Sequence, residues 1–137
     1  MKYNTIILVD ENQENKAIFM EKLKKRVKTS YTKLEVLLQS ILQTYPEEYN
    51  ENRQEKLYIF LKEFLKNLSS KEEMYLIDVD NLLVKNAIKL TQENENIIIV
   101  YPKRIEEHEQ IKAINIQNIE EIENFINEIV KRKECHG

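Results

Sequence analysis

The chain of 137 residues has the length of a single domain, which can bury about two-thirds of its unfolded surface in one core. Its composition, 42% hydrophobic and 33% charged with a net charge of −3, is typical of a folded protein rich in surface helix and argues against a dedicated DNA-binding domain. A single Gly excludes a glycine-rich phosphate loop, a single Cys excludes a disulfide framework, and no apolar run reaches the about 18 residues of a membrane span. We therefore expect a cytoplasmic domain with neither a membrane nor a nucleic acid as its partner.

The first predicted strand, residues 4 to 9, runs directly into acidic residues. Its apolar core is followed by Asp10, Glu11 and Asn12, and then by a helix. The lysines and arginine of that helix form a basic surface, which we interpret as a solvated face. The stripe predicted to be buried consists of Ile18, Phe19, Leu23 and Val27.

The segment from residue 29 to residue 70 is predicted to be a helical insert. Thr32 and Glu35 have the spacing of a capping box at the start of its first helix, and Asn52 and Glu55 have the same spacing at the start of its second. Leucines and aromatic residues recur at helical spacing in both, so the segment is predicted to form an αα-hairpin. The wide apolar faces of this hairpin could cover the sheet or meet a partner chain.

The central strand, residues 74 to 78, ends at Asp78, and Asp80 follows one residue later. A short helix is predicted over about residues 82 to 90, a third strand over 97 to 101 and a fourth over 112 to 116. The last helix begins at Asn118, which is predicted to cap it together with Glu121. Its apolar positions, from Ile119 to Val130, give it one buried face.

The alternation of strands and helices predicts a parallel sheet with helices on both faces, a three-layer α/β/α sandwich of about four strands in one domain, residues 1 to 137. In such sheets the carboxyl ends of the strands form the edge where ligands bind. Acids follow two of the predicted strands at that edge, so Asp10, Glu11, Asp78 and Asp80 are the candidate site residues. An aspartate after a strand can also simply cap the next helix, and this interpretation stays open for Asp10, Asp78 and Asp80.

The sequence from Ile7 to Asn15 resembles the opening of a response-regulator receiver domain of the flavodoxin or CheY-like fold, whose first strand ends in two acids. Leu76-Ile77-Asp78-Val79-Asp80 resembles the third strand of that family, which carries the phosphoacceptor aspartate. The resemblance implies that Asp10 and Glu11 hold Mg²⁺ and that Asp78 accepts the phosphoryl group. Hard carboxylate oxygens suit this cation, and the cation would offset their mutual repulsion.

Two positions depart from the receiver pattern. Tyr101 stands at or near the place of the Thr or Ser that reads the phosphate, and Asn115 stands near the place of the Lys that pairs with it. The resemblance therefore implies a degenerate receiver that acts in regulation by binding protein, without the standard phosphorylation switch, and that could still hold Mg²⁺. A protein partner or a second copy of the chain is expected on the helical insert or on the terminal helix.

Another resemblance leads to a different function. The strand that ends at Asp78 and Asp80 is also similar to strands of PIN-like and NYN nucleases, and an acid on one strand with Asp-x-Asp on another is similar to Toprim domains. This likeness implies that Glu11, Asp78 and Asp80 bind Mg²⁺ or Mn²⁺ and activate water against a phosphodiester. The Gly that follows the Toprim glutamate is absent here.

Overall fold

The protein is described by a computed structural model that covers residues 3–42, 53–68, 74–102 and 108–134. Its core is one five-stranded sheet in the order β2-β3-β1-β4-β5, with every pair of neighbouring strands parallel. The strands are β1 (Thr5–Val9), β2 (Thr29–Lys33), β3 (Met74–Val79), β4 (Ile97–Tyr101) and β5 (Ile111–Ala113).

Helices cover both faces of this sheet. They are α1 (Gln13–Lys24), α2 (Leu34–Leu42), α3 (Arg53–Lys66), α4 (Val84–Glu93) and α5 (Ile119–Glu134). Side chains of α1 and α5 form one apolar core with one face of the sheet, where Phe19 packs against Phe125 with ring centroids 5.9 Å apart. Side chains of α2, α3 and α4 form a second core with the opposite face. The predicted three-layer α/β/α sandwich with a parallel sheet is therefore confirmed.

The central strands are buried on both faces, as their continuous apolar runs predict. All five residues of β1 and of β4 are buried, and five of the six residues of β3 are buried. The predicted caps at Asn12 and Asn118 also form: Asn12 accepts a hydrogen bond from the backbone N–H of Asn15, and Asn118 accepts from those of Glu120 and Glu121. No helix in the described ranges is long and apolar enough to cross a membrane.

The sheet contains one strand that the sequence did not predict. Residues 29 to 33, placed at the start of the helical insert by the sequence analysis, form β2. Thr32 lies within this strand, which ends at Lys33, and α2 begins at the next residue, Leu34. Thr32 is therefore not a helix cap. Thr and Tyr favour extended backbone, and a strand that is polar nearly throughout and only half buried suits the edge of a sheet. The second expected cap, at Asn52, lies outside the described residues.

The order of the strands sets which residues can meet. In the flavodoxin and CheY order, 2-1-3-4-5, the first strand lies between the second and the third. Here β3 lies between β1 and β2, and β4 pairs with β1 on its other side. Consequently the strand that carries Asp78 has the polar edge strand β2 as its second neighbour.

Candidate functional site

The two acidic strand ends meet at one edge of the sheet. β1 and β3 pair directly, with Leu8 opposite Asp78, and the backbone N–H of Asp10 continues the pairing by donating to the carbonyl of Val79 at 3.0 Å. Asp10 and Asp80 therefore follow neighbouring strands at the same end, as the sequence predicts. Asp78 is the fifth residue of β3, and its side chain lies on the face of the sheet that α1 covers.

A lysine that the sequence analysis did not single out lies at the centre of this edge. Lys16 Nζ donates to Asp78 Oδ1 at 2.5 Å and to Asp80 Oδ1 at 2.7 Å. The side chains of Lys16 and Asp78 are only 3% and 1% exposed, whereas that of Asp80 is 31% exposed. The candidate site is therefore a buried ion pair with a second, partly exposed carboxylate.

Helix α1 places this ammonium. Asn12 caps the helix, and Lys16 is its fourth residue, one turn before the buried Phe19 and two turns before the buried Leu23. The predicted stripe counted Ile18 in this face, but Ile18 is 38% exposed and Lys16 is buried in its place. The spacing of Lys16 from Phe19 and Leu23 was the available signal, and the charge of Lys16 made the position look solvated.

Tyr31 on the edge strand binds the other oxygen of Asp78. Its hydroxyl donates to Asp78 Oδ2 at 2.5 Å, so both carboxylate oxygens of Asp78 have a donor. Burial of the hydroxyl and its hydrogen bond to a carboxylate raise the pKa of Tyr31, which keeps the phenol in its donating form. Together, α1 and β2 enclose Asp78 between a cation and a neutral donor.

Glu35 holds the loop that follows β3. Its Oε1 accepts from the backbone N–H groups of Asp80 at 2.9 Å and of Asn81 at 3.2 Å. The spacing of Glu35 from Thr32 predicts a capping box, but the carboxyl group instead joins the first turn of α2 to the residues after β3. Gln13 completes the polar set with an Nε2 contact to Asp80 Oδ1 at 3.3 Å.

The pKa values of Lys16 and Asp80 depend on both their burial and the charges beside them. Burial acts to lower the pKa of Lys16, but the hydrogen bonds to Asp78 and Asp80 outweigh it, and the pKa lies above its usual value of 10.5. Burial acts to raise the pKa of Asp80, but hydrogen bonds with Glu35 and Lys16 outweigh it, and the pKa lies below 3.8. Both groups are therefore charged at neutral pH.

The remaining predicted metal ligands do not join this pair. Asp10 is almost fully buried, and its Oδ1 accepts from the backbone N–H of Asn12 at 2.7 Å, while Glu11 is exposed. Within the described ranges, no three His, Cys, Asp or Glu side chains are grouped so that they could hold a metal ion. With the Lys16 ammonium on both Asp78 and Asp80, the described residues do not fit a divalent cation at this position.

The two positions that depart from the receiver pattern also lie away from Asp78. Tyr101 ends β4 and packs into the core on the opposite face of the sheet, where its hydroxyl donates to the carbonyl of Leu82 at 2.9 Å. Asn115 is exposed after β5, and its Oδ1 accepts from the backbone N–H of Gln117. Neither side chain contacts the acidic edge.

Comparison of the chain with known protein families finds no family model that matches it, and comparison with curated proteins finds no match either.

Removing the cap of α1 tests whether the helix start positions Lys16. We expect Asn12→Ala to lower the free energy of unfolding by about 1 kcal/mol, because the N–H of Asn15 loses its acceptor at the helix start. Urea unfolding of this variant beside Gln117→Ala, which removes an exposed amide between β5 and α5, provides the measurement. Equal stability of the two variants would show that the cap contributes nothing.

The lowered pKa of Asp80 predicts a loss of stability in acid. A carboxyl group whose pKa is lower in the folded chain contributes stability above its unfolded pKa, near 3.8, and loses it as the pH falls through the folded value. Urea unfolding across this range should therefore show a steeper decline for the wild type than for Asp80→Asn. Parallel curves would contradict an ionised, paired Asp80.

Proposed function

We propose that this chain is a receiver-like regulatory domain that binds protein and is not switched by phosphorylation, acting in the cytoplasm. The observation that carries the proposal is the Lys16 ammonium, 2.5 Å from Asp78 and 2.7 Å from Asp80. The chain's own cation pairs with Asp78, the residue that the receiver resemblance assigns as phosphoacceptor. The resemblance to receivers accounts for the acids, and Lys16 accounts for the absence of a switch.

Asp78 is poorly placed to accept a phosphoryl group. Its side chain is 1% exposed, one oxygen is bound by Lys16 and the other by Tyr31. An attacking carboxylate needs a free oxygen in line with the phosphorus, and here both oxygens would first have to lose their donors. No described residue with a hydroxyl group lies at the end of β4 on the face of Asp78 to sense the added charge.

Partner binding is supported by apolar side chains left in solvent on the helical insert. Val36 and Leu37 on α2 are 54% and 42% exposed, although Leu34 and Leu38 of the same helix are buried in the core. Exposed apolar residues grouped on one element favour a protein contact. A second copy of the chain and a separate protein are the two candidate occupants of this surface of α2.

The oligomeric state of the chain, measured by analytical ultracentrifugation, distinguishes a second copy from a separate partner protein. We expect a concentration-dependent dimer, if a second copy binds, to be lost in Val36→Glu/Leu37→Glu, because two charges would be desolvated at the contact. A monomer in both proteins would direct the search to a separate partner. Both substituted positions are exposed, so the stability of the variant should stay within about 0.5 kcal/mol of the wild type.

We expect Mg²⁺ to bind only when the Lys16 ammonium no longer pairs with Asp78 and Asp80. A ligand that binds the folded form raises the melting temperature by mass action. We therefore expect added Mg²⁺ to leave the melting temperature of the wild type unchanged and to raise that of Lys16→Ala. The rise should disappear in Lys16→Ala/Asp78→Ala. A rise in the wild type would mean that metal displaces the ammonium. The degenerate-receiver proposal would then give way to one with an active metal site.

The decisive test of the missing switch is treatment with acetyl phosphate and Mg²⁺ followed by intact-mass measurement. We expect no phosphoryl adduct on the wild type under conditions that label a standard receiver domain assayed beside it. An adduct that is lost in Asp78→Asn would overturn the proposal. The nuclease alternative needs Glu11, Asp78 and Asp80 on a single metal, and the exposed Glu11 and the lysine-bound Asp78 give it no support.

A further inference from the structure

The strand β2 forms one edge of the sheet, and β3 is its only strand partner among the described residues. The carbonyl of Lys28, just before β2, accepts from the N–H of Met74 at 2.8 Å. Because backbone groups alternate in direction along a strand, those of Thr29, Tyr31 and Lys33 point away from β3. An outward row of this kind is a template for one more strand.

The side chains along this edge define which strand it would accept. Tyr31 is 40% exposed at the middle of β2, and its ring offers apolar contact on the face covered by α1. Lys28 is exposed at one end of the strand and Lys33 is half buried at the other. No acidic residue occurs between positions 22 and 34 of the sequence, so Lys28 has no acid beside it in this stretch, whereas Lys33 interacts electrostatically with Asp80 across the sheet.

We propose that the edge of β2 binds an extended, acidic peptide segment of a partner protein by adding it to the sheet as a further strand. The inference rests on the proposed protein-binding function and names the chemistry of the partner. Backbone hydrogen bonds to the outward groups would supply affinity, and alternate side chains would supply specificity. An apolar side chain would lie beside Tyr31, and carboxylates would lie beside Lys28 and Lys33.

A second copy of the chain fits this edge less well. Two β2 strands paired antiparallel about Tyr31 would place Lys33 of one copy opposite Thr29 of the other, next to Lys28 in that strand. Both ends of the paired strands would then carry two cations close together, and like charges in neighbouring cross-strand positions are destabilising. The same cations attract a chain of opposite charge, which is why an acidic partner fits best.

The test uses the full chain and a fluorescent acetylated peptide, Glu-Glu-Thr-Val-Thr-Glu-Glu, which reads the same in either strand direction and places valine beside Tyr31 with glutamates beside Lys28 and Lys33. We expect saturable binding by anisotropy, with amide chemical shift changes centred on residues 29 to 33. A matched peptide with lysine in place of every glutamate should not bind. Lys28→Glu/Lys33→Glu should weaken binding by about tenfold or more, whereas Lys24→Glu, an exposed charge reversal on α1, should leave it unchanged.

A backbone variant separates strand addition from attraction by charge alone. Thr29→Pro removes an outward N–H at the first residue of an edge strand, a position that tolerates proline, and should reduce binding while preserving both lysines. Three results would overturn the inference: no shift changes in β2 with the acidic peptide, equal binding of the two peptides, or a dimer of the chain that Lys28→Glu/Lys33→Glu strengthens. The acetyl phosphate result is independent of all three, so the proposed function can survive their failure.

Discussion

Replacing Lys16 by Met is expected to lower the free energy of unfolding by about 3–5 kcal/mol, the cost of breaking a buried ion pair by removing one partner. Met retains most of the apolar stem, so the packing of α1 against the sheet changes little. What is lost is the cation between Asp78 and Asp80, which leaves the 1% exposed carboxylate of Asp78 with the Tyr31 hydroxyl as donor to one oxygen. Urea unfolding at neutral pH measures the difference.

The matched control is Lys22→Met on the same helix. Lys22 Nζ lies 2.9 Å from Glu123 Oε1, but these side chains are 27% and 56% exposed. A surface pair of this kind contributes less than about 1 kcal/mol, and added salt weakens it further. A Lys16 variant no less stable than the Lys22 variant would show that the acidic edge does not depend on its internal cation.

The sequence predicts the fold best in the elements whose residues are selected by burial. β1, β3 and β4 are continuous apolar runs because both of their faces are covered, and their predicted bounds agree with the structure to within about one residue. The amphipathic periods of α3 and α5 were equally informative. The predicted meeting of the two acidic strand ends followed from parallel pairing alone.

The site was less accessible, because its decisive contacts join residues distant in the sequence. Lys16 and Asp78 are separated by 62 positions, and Tyr31 and Asp78 by 47. A lysine in a run of polar residues reads as solvated unless a carboxylate is known to face it, and one sequence does not supply that pairing. The strand that carries Tyr31 was missed for a related reason, since a polar edge strand has no apolar run to mark it.

The contacts of Lys16 change how Asp78 and Asp80 are interpreted. Grouped carboxylates without a cation repel one another, and a receiver or a nuclease offsets that repulsion with a metal. Here the charge of Lys16 is covalently part of the chain and cannot leave by dilution or chelation. With one ammonium between Asp78 and Asp80, the repulsion between the two carboxylates is reduced without a metal.

Asp78→Asn distinguishes acids held by a metal from acids paired with Lys16, because the two arrangements predict different changes in the free energy of unfolding. In a cluster of like charges held by metal, neutralising one acid in metal-free buffer relieves repulsion, and the free energy of unfolding stays the same or rises. In the ion pair described here, the amide leaves the buried Lys16 with Asp80 alone and places an NH₂ group where an acceptor is needed. We therefore expect a loss of about 3 kcal/mol.

Chelated buffer is essential to this measurement, because metal bound only by the wild type would also make the variant look less stable. The control is Glu11→Gln, which neutralises an exposed acid two residues after β1 and should stay within about 0.5 kcal/mol of the wild type. A more stable Asp78→Asn in chelated buffer would identify a repulsive cluster and restore the metal hypotheses. A large loss there, unchanged by Mg²⁺, is what a carboxylate whose counter-ion is Lys16 must give.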